Sequence, residues 1–276
     1  MLKIPCNDGF QLAASHFPAK KEEGKVLIIN SATAVDRKLY FHYANWLAGE
    51  GYEVFTYDYR GIAESRPRKL RGFKTSFRDW GEKDFPAVIS HARSVFPRHK
   101  LFVLGHSIGG TLTGMSESLL EIDGLLTIAS QTAYYKDWAP GQRGKIFFLW
   151  HLFLPAMTAI FGYFPGKRLG ILEDVPKGVI NEWKQRRKEA DLRIQMKSRD
   201  EQIFYENYKG KLLSLGLYDD PIGTEAAIQR MHQWYSAADK EIKVLQHEEE
   251  IGHFGFFRRK FRESLWPISL DFFESC

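Results

Sequence analysis

The stretch Leu101-Phe102-Val103-Leu104-Gly105-His106-Ser107-Ile108-Gly109 decides the fold. Its four leading apolar residues read as a strand buried on both faces. The Gly-x-Ser-x-Gly pattern that follows reads as a sharp turn, and Gly109 to Leu120 as the helix it opens. A serine on such a turn is held in a strained backbone conformation. Only small residues at 105 and 109 let strand and helix approach closely enough to make that turn. The Ser107 hydroxyl then stands at the carboxyl end of the sheet, where open α/β folds bind ligands. Alone, these residues could also be a glycine-rich helix start with an N-capping serine. The surrounding pattern has to decide.

Outward from this point, strands and helices alternate. Leu2 to Cys6 and Phe10 to Phe17 flank Asn7-Asp8-Gly9, a hairpin turn signal. Lys25 to Ile29 is an almost unbroken apolar run. Then come a helix over Leu39 to Ala48, a strand over Glu53 to Tyr57, a helix over Asp79 to Val95 and a strand over Gly124 to Ala129. The pattern resumes with a strand from Lys211 to Leu215, a helix from Thr224 to Tyr235, a strand from Ile242 to Gln246 and a helix from Phe261 to Phe273. The fold class is therefore α/β: a mostly parallel sheet with right-handed crossovers and helices on both faces. From about Ala133 to Tyr205 the alternation stops, and an aromatic, proline-punctuated, helical stretch without a clear strand takes its place. The expected division is a core in two parts, 1–132 and 206–276, interrupted by a helical cap at 133–205.

The bulk numbers suit this reading. A chain of 276 residues is long enough for one large domain carrying an insertion. With 44% hydrophobic and 26% charged residues, it is not a disordered chain. A net charge of +5 could attract an anionic substrate or an acidic membrane surface. No basic stripe interleaves with base-stacking aromatics, so nucleic acid is not an expected partner. The basic runs Lys184 to Lys188 and Arg258 to Lys260 read as solvated helix faces. Cys6 and Cys276 have neither metal-ligand nor disulfide spacing and read as free thiols in a reducing compartment. With no apolar leader at the start, a cytoplasmic location is expected. Ile146 to Phe164 lacks charged residues over nearly the length that spans a bilayer. His151 and Pro155 interrupt it, so a buried or pocket-lining helix pair is expected, with peripheral membrane contact as the intermediate possibility. Oligomeric state leaves no signal.

A serine hydroxyl is a poor nucleophile without a base. In this chain order the base should follow the last strand, where Gly252-His253-Phe254-Gly255 lies, its glycines suiting a mobile loop. His16, His42, His91, His99, His151, His232 and His247 fall in predicted strands, helices or their flanks. His106 adjoins the serine but would point away from it. The acid that orients the imidazole should lie after the strand Lys211 to Leu215, in Tyr218-Asp219-Asp220-Pro221. Asp220 is preferred over Asp219 because the proline after it favours extended backbone. An oxyanion needs two N–H donors. Ile108 follows the serine and should supply one; Ala32, with Thr33 as the alternative, should supply the other from the loop Asn30 to Ala34.

Together these residues resemble the α/β-hydrolase fold superfamily over nearly the whole chain. Tyr57-Asp58-Tyr59-Arg60-Gly61 with Ser65 is similar to that family's D-x-R-G-x-G-x-S loop, Ala63 standing for the second glycine; it implies a structural role. Ser31-Ala32-Thr33, Asp79-Trp80-Gly81, Gly162 to Gly166 and Gly252 to Phe257 resemble a bacterial group of predicted capped serine hydrolases. The family's usual His-Gly oxyanion pair is Asn30-Ser31 here.

The expected function is hydrolysis of an ester or thioester of an apolar acyl group by a Ser107–His253–Asp220 triad, through an acyl-enzyme. No metal or organic cofactor is expected, and the partner is a small acyl substrate. Amide or carbon–carbon cleavage on the same fold, a non-catalytic binding protein and a membrane-associated lipid hydrolase are the competing readings.

Overall fold

The computed structural model describes residues 2–188, 191–197 and 202–276. Eight strands form the main sheet: β1 (Leu2–Pro5), β2 (Gln11–Phe17), β3 (Lys25–Asn30), β4 (Tyr52–Tyr57), β5 (Lys100–His106), β6 (Gly124–Ile128), β9 (Lys211–Leu217) and β10 (Asp239–Leu245). Their order across the sheet is β1-β2-β4-β3-β5-β6-β9-β10. The first hairpin and the β2–β4 pair are antiparallel, and every other pair is parallel.

The apolar runs are buried on both faces because side chains alternate along each strand. Val26 and Ile28 point into one core with Leu101, Val103, Leu125 and Leu212. Leu27 and Ile29 point into the other with Phe102, Leu104, Leu126 and Leu213. Helix Phe85–Val95 packs Val88, Ile89 and Ala92 into the first core. Helices Phe41–Gly49 and Trp266–Ser275 cover the second with Tyr43, Leu47, Trp266 and Phe273. Parallel strands then leave the loops after β3, β5, β9 and β10 at one edge, and the candidate residues stand on those loops.

Two sequence expectations change. The helix expected over Gly109–Leu120 is only Ile108–Leu112, followed by short 3₁₀ turns. Gly109, Gly110 and Gly114 give it little helix propensity, and the Tyr205 ring lies where a Cβ on Gly114 would be, 2.1 Å from it. The helix pair expected over Ile146–Phe164 is one continuous helix, Pro140–Phe161. It does not break at Pro155, because the π-helical turn Leu149–Phe153 just before that residue widens the coil. The described residues between β6 and β9 are otherwise mostly helical and irregular, apart from the small pair β7 (Tyr163–Phe164) and β8 (Val175–Pro176).

Candidate active site

The turn after β5 has the geometry its residues dictate. Ser107 sits at φ 54° and ψ −120°, a conformation that strains any residue with a Cβ. A Cβ on Gly105 would lie 2.3 Å from Gly110 Cα, and one on Gly109 would lie 2.2 Å from the Asn30 carbonyl oxygen. The Ser107 N–H donates to the Ile128 carbonyl at 2.9 Å, tying the strained residue to β6.

His253 and Asp220 meet at the same edge. His253 Nδ1 and Asp220 Oδ2 are 2.6 Å apart. Asp220 is buried, and Oδ1 also accepts the Ile222 N–H at 2.8 Å. Burial disfavours its charge, but the His253 ring and the N–H groups of Ile222 and Gly223 outweigh it and hold the carboxyl below its ordinary range. Ser107 and His253 line one cavity of about 180 Å³. The geometry joins acid to imidazole directly and brings imidazole and hydroxyl to one cavity wall without closing a hydrogen bond between them. Such bonds often tighten only around a substrate. A larger depression of about 300 Å³, bordered by Lys20, His42 and Arg259, has no serine, threonine or cysteine in its wall.

A family model described as serine aminopeptidase, S33, matches residues 22–152, the part that contains the serine turn. An esterase from Pyrococcus furiosus superposes with a TM-score of 0.69 at 16% identity, covering 99% of this chain and 90% of the esterase. A soluble variant of the Saccharomyces cerevisiae monoglyceride lipase, bound to a substrate analogue, gives a TM-score of 0.68 at 16% identity over 100% and 95% of the two chains. The chain has the α/β-hydrolase fold. An Exiguobacterium antarcticum esterase also shares the fold, with a TM-score of 0.61 at 14% identity over 98% and 97%. No curated protein matches the chain in sequence.

Within this fold the two expected oxyanion donors differ in state. Ile108 opens its helix, so its N–H has no intrahelical carbonyl to meet. Ala32 is a correction: its N–H donates to Tyr40 Oη at 2.9 Å and is already engaged. Thr33, the alternative, lines the cavity, and its buried hydroxyl has no hydrogen-bond partner.

The sequence reading missed the support behind the imidazole. Tyr40 Oη meets His106 Nδ1 at 2.8 Å, and His106 Nε2 meets the His253 carbonyl at 2.9 Å. A carbonyl can only accept, so Nε2 carries the proton and Nδ1 accepts from Tyr40. Burial, with a smaller contribution from His253, pushes the His106 imidazole down to about 3, keeping it neutral. His106 therefore points away from the hydroxyl, as expected, but positions the backbone of His253. Its signal was in the sequence: a polar residue ending an apolar strand needs partners. Asp219 was also missed as a support. Its carboxylate accepts the N–H groups of Ile251 at 2.7 Å and Gly252 at 2.9 Å. His253 accordingly sits in a one-turn helix, Gly252–Gly255, rather than on the loop its glycines suggested.

The Asp58–Ser65 loop is structural in its contacts. Asp58 is buried and accepts from the Arg37 backbone and guanidinium. Arg60 Nε pairs with Asp84 at 2.6 Å, and Tyr59 stacks on Trp80 with centroids 4.7 Å apart. Ala63 holds φ 42°, the left-handed region that the glycine it replaces would adopt freely.

Proposed function

We propose that the protein is a serine hydrolase that cleaves an ester or thioester of a compact apolar acyl group through an acyl-enzyme. The observation that carries this reading is the 2.6 Å Asp220–His253 contact facing the cavity that holds the strained Ser107. His253 removes the hydroxyl proton as Ser107 Oγ attacks the acyl carbonyl. The N–H of Ile108 and the polar groups of Thr33 receive the oxyanion. His253 passes its proton to the departing alcohol or thiol, and a water then repeats the sequence to free the acid. Asp220 stays ionised throughout and stabilises the imidazolium.

The cavity wall supports the substrate class. Trp138, Leu149, Trp150, Leu172 and Trp183 come from the insert between β6 and β9 and act as its cap, while Ile222 and Phe254 close the other side. At about 180 Å³ the cavity lies below the usual range for drug-sized ligands, about 300–1,000 Å³. A short to medium chain or a single aromatic ring fits this scale.

Turnover of p-nitrophenyl esters from acetyl to octanoyl tests the reading. Each methylene buried is worth about 0.8 kcal/mol, about fourfold in kcat/KM. The account expects kcat/KM to climb along the series until the cavity is full, and Ser107→Ala to lose at least about 10³-fold in kcat. A flat response would remove the pocket argument. Undiminished turnover by Ser107→Ala would remove the nucleophile.

A further inference from the structure

Helix Pro140–Phe161 is 22 residues long and contains an 18-residue stretch with a mean hydropathy of 1.5, yet only 22% of that stretch is buried. Its two faces differ in a regular way. Ile146, Leu154 and Thr158 face the protein, and Leu149 and Trp150 line the cavity. Phe148, Leu152 and Ile160 face water, exposed by 57%, 51% and 66%. With Ala156 they repeat every four residues, so they form one stripe along the helix. Single exposed apolar residues are common; a continuous stripe marks a surface that something covers.

Charge says what covers it. From Trp138 to Leu172 there is no Asp or Glu, and there are four cations: Arg143, Lys145, Lys167 and Arg168. Lys167 pairs with Glu173 at 2.9 Å. Lys145, near the start of the helix, and Arg168, just past its end, form no ion pair among the described residues. The Arg168 guanidinium instead lies 5.7 Å from the Phe161 ring centroid. An apolar helix face bracketed by uncompensated cations is complementary to a lipid surface with anionic headgroups. Its inner face is packed on the protein, so the helix would lie in the interface and not cross it.

We propose that the insert docks through Phe148, Leu152 and Ile160 on an anionic lipid surface, with Lys145 and Arg168 on the headgroups. The helix that docks is the one that walls the cavity, so docking sets the cavity against the lipid. The proposal is independent of the reaction, because binding is read without turnover.

Co-sedimentation of the full chain with vesicles of phosphatidylcholine alone, and of phosphatidylcholine with phosphatidylglycerol, tests it. Binding is expected to the anionic vesicles and to weaken with salt. The combined change Phe148→Ser, Leu152→Ser and Ile160→Ser should cut it at least tenfold with an unchanged thermal midpoint. Lys145→Gln and Arg168→Gln, which leave the apolar face intact, should each cost about fivefold; this second set decides should the first not fold. Absence of binding to both vesicles would overturn the proposal, as would equal binding to neutral and anionic vesicles. Concentration-dependent self-association without vesicle binding, abolished by the serine changes, would assign the stripe to a second copy of the chain instead.

Discussion

Asp219 and Asp220 are neighbours in the chain and hold different things. Asp220 reaches the His253 ring, and Asp219 holds the two N–H groups that start the helix carrying it. Equal removal of charge should therefore have unequal effects. Asp220→Asn keeps its one oxygen on the Ile222 N–H, turns its NH2 toward the imidazole and should lower kcat by about 10³–10⁴-fold. Asp219→Asn keeps one acceptor oxygen and should cost about tenfold or less. Steady-state kinetics on one ester, with both variants checked for folding, reads the difference; equal losses would contradict the division. Which acid does which was not legible in the sequence beyond the hint of Pro221. It depends on which carboxylate faces a turn that arrives from residues 251 and 252. Ala32 shows the same limit: its N–H is taken by Tyr40, and nothing in the loop Asn30 to Ala34 announces that.

At the scale of the element, β5 and its turn were legible because their requirements are local. An apolar run, two glycines and a serine leave few other conformations. The helix after the turn was not, because Tyr205 arrives from a distant part of the chain to lie against Gly114. Pro155 read as a break, but the π-helical turn beside it lets the helix continue. The relay from Tyr40 through His106 to the His253 carbonyl joins the end of β5 to the His253 helix, and it carries a pH signature. The folded state holds the His106 imidazole at about 3, against 6.5 for an unperturbed histidine. Between those values the unfolded chain binds a proton that the folded chain does not. The stability His106 supplies is thus complete above about pH 6.5 and declines as pH falls toward 3, by up to about 1.4 kcal/mol per unit. His106→Asn should cost about 1–3 kcal/mol at pH 7.5, where it strands the Tyr40 hydroxyl or the His253 carbonyl. Urea unfolding at pH 7.5 and pH 5 should show the gap between wild type and variant narrowing at the lower pH. A constant gap would mean that the histidine is not held neutral.

For the molecule as a whole, the parallel sheet converts sequence distance into proximity. Residues 33, 107, 220 and 253 are far apart in the chain but lie beyond the carboxyl ends of β3, β5, β9 and β10. That much follows from the order of strands, and the order was readable. The insert between β6 and β9 supplies what the core lacks, an apolar wall over the serine. Its composition announced an aromatic lining, but not which side of its long helix would face water.

The central claim is that Ser107 is made reactive by His253. Labelling with a fluorophosphonate, followed by mass spectrometry of the peptides, tests it most directly, because the probe reports the nucleophile without a known substrate. The account predicts a single adduct on Ser107, formed by the wild type and slowed by orders of magnitude in folded His253→Ala. An unlabelled Ser107 in folded wild-type protein, or labelling as fast without the imidazole as with it, would contradict it.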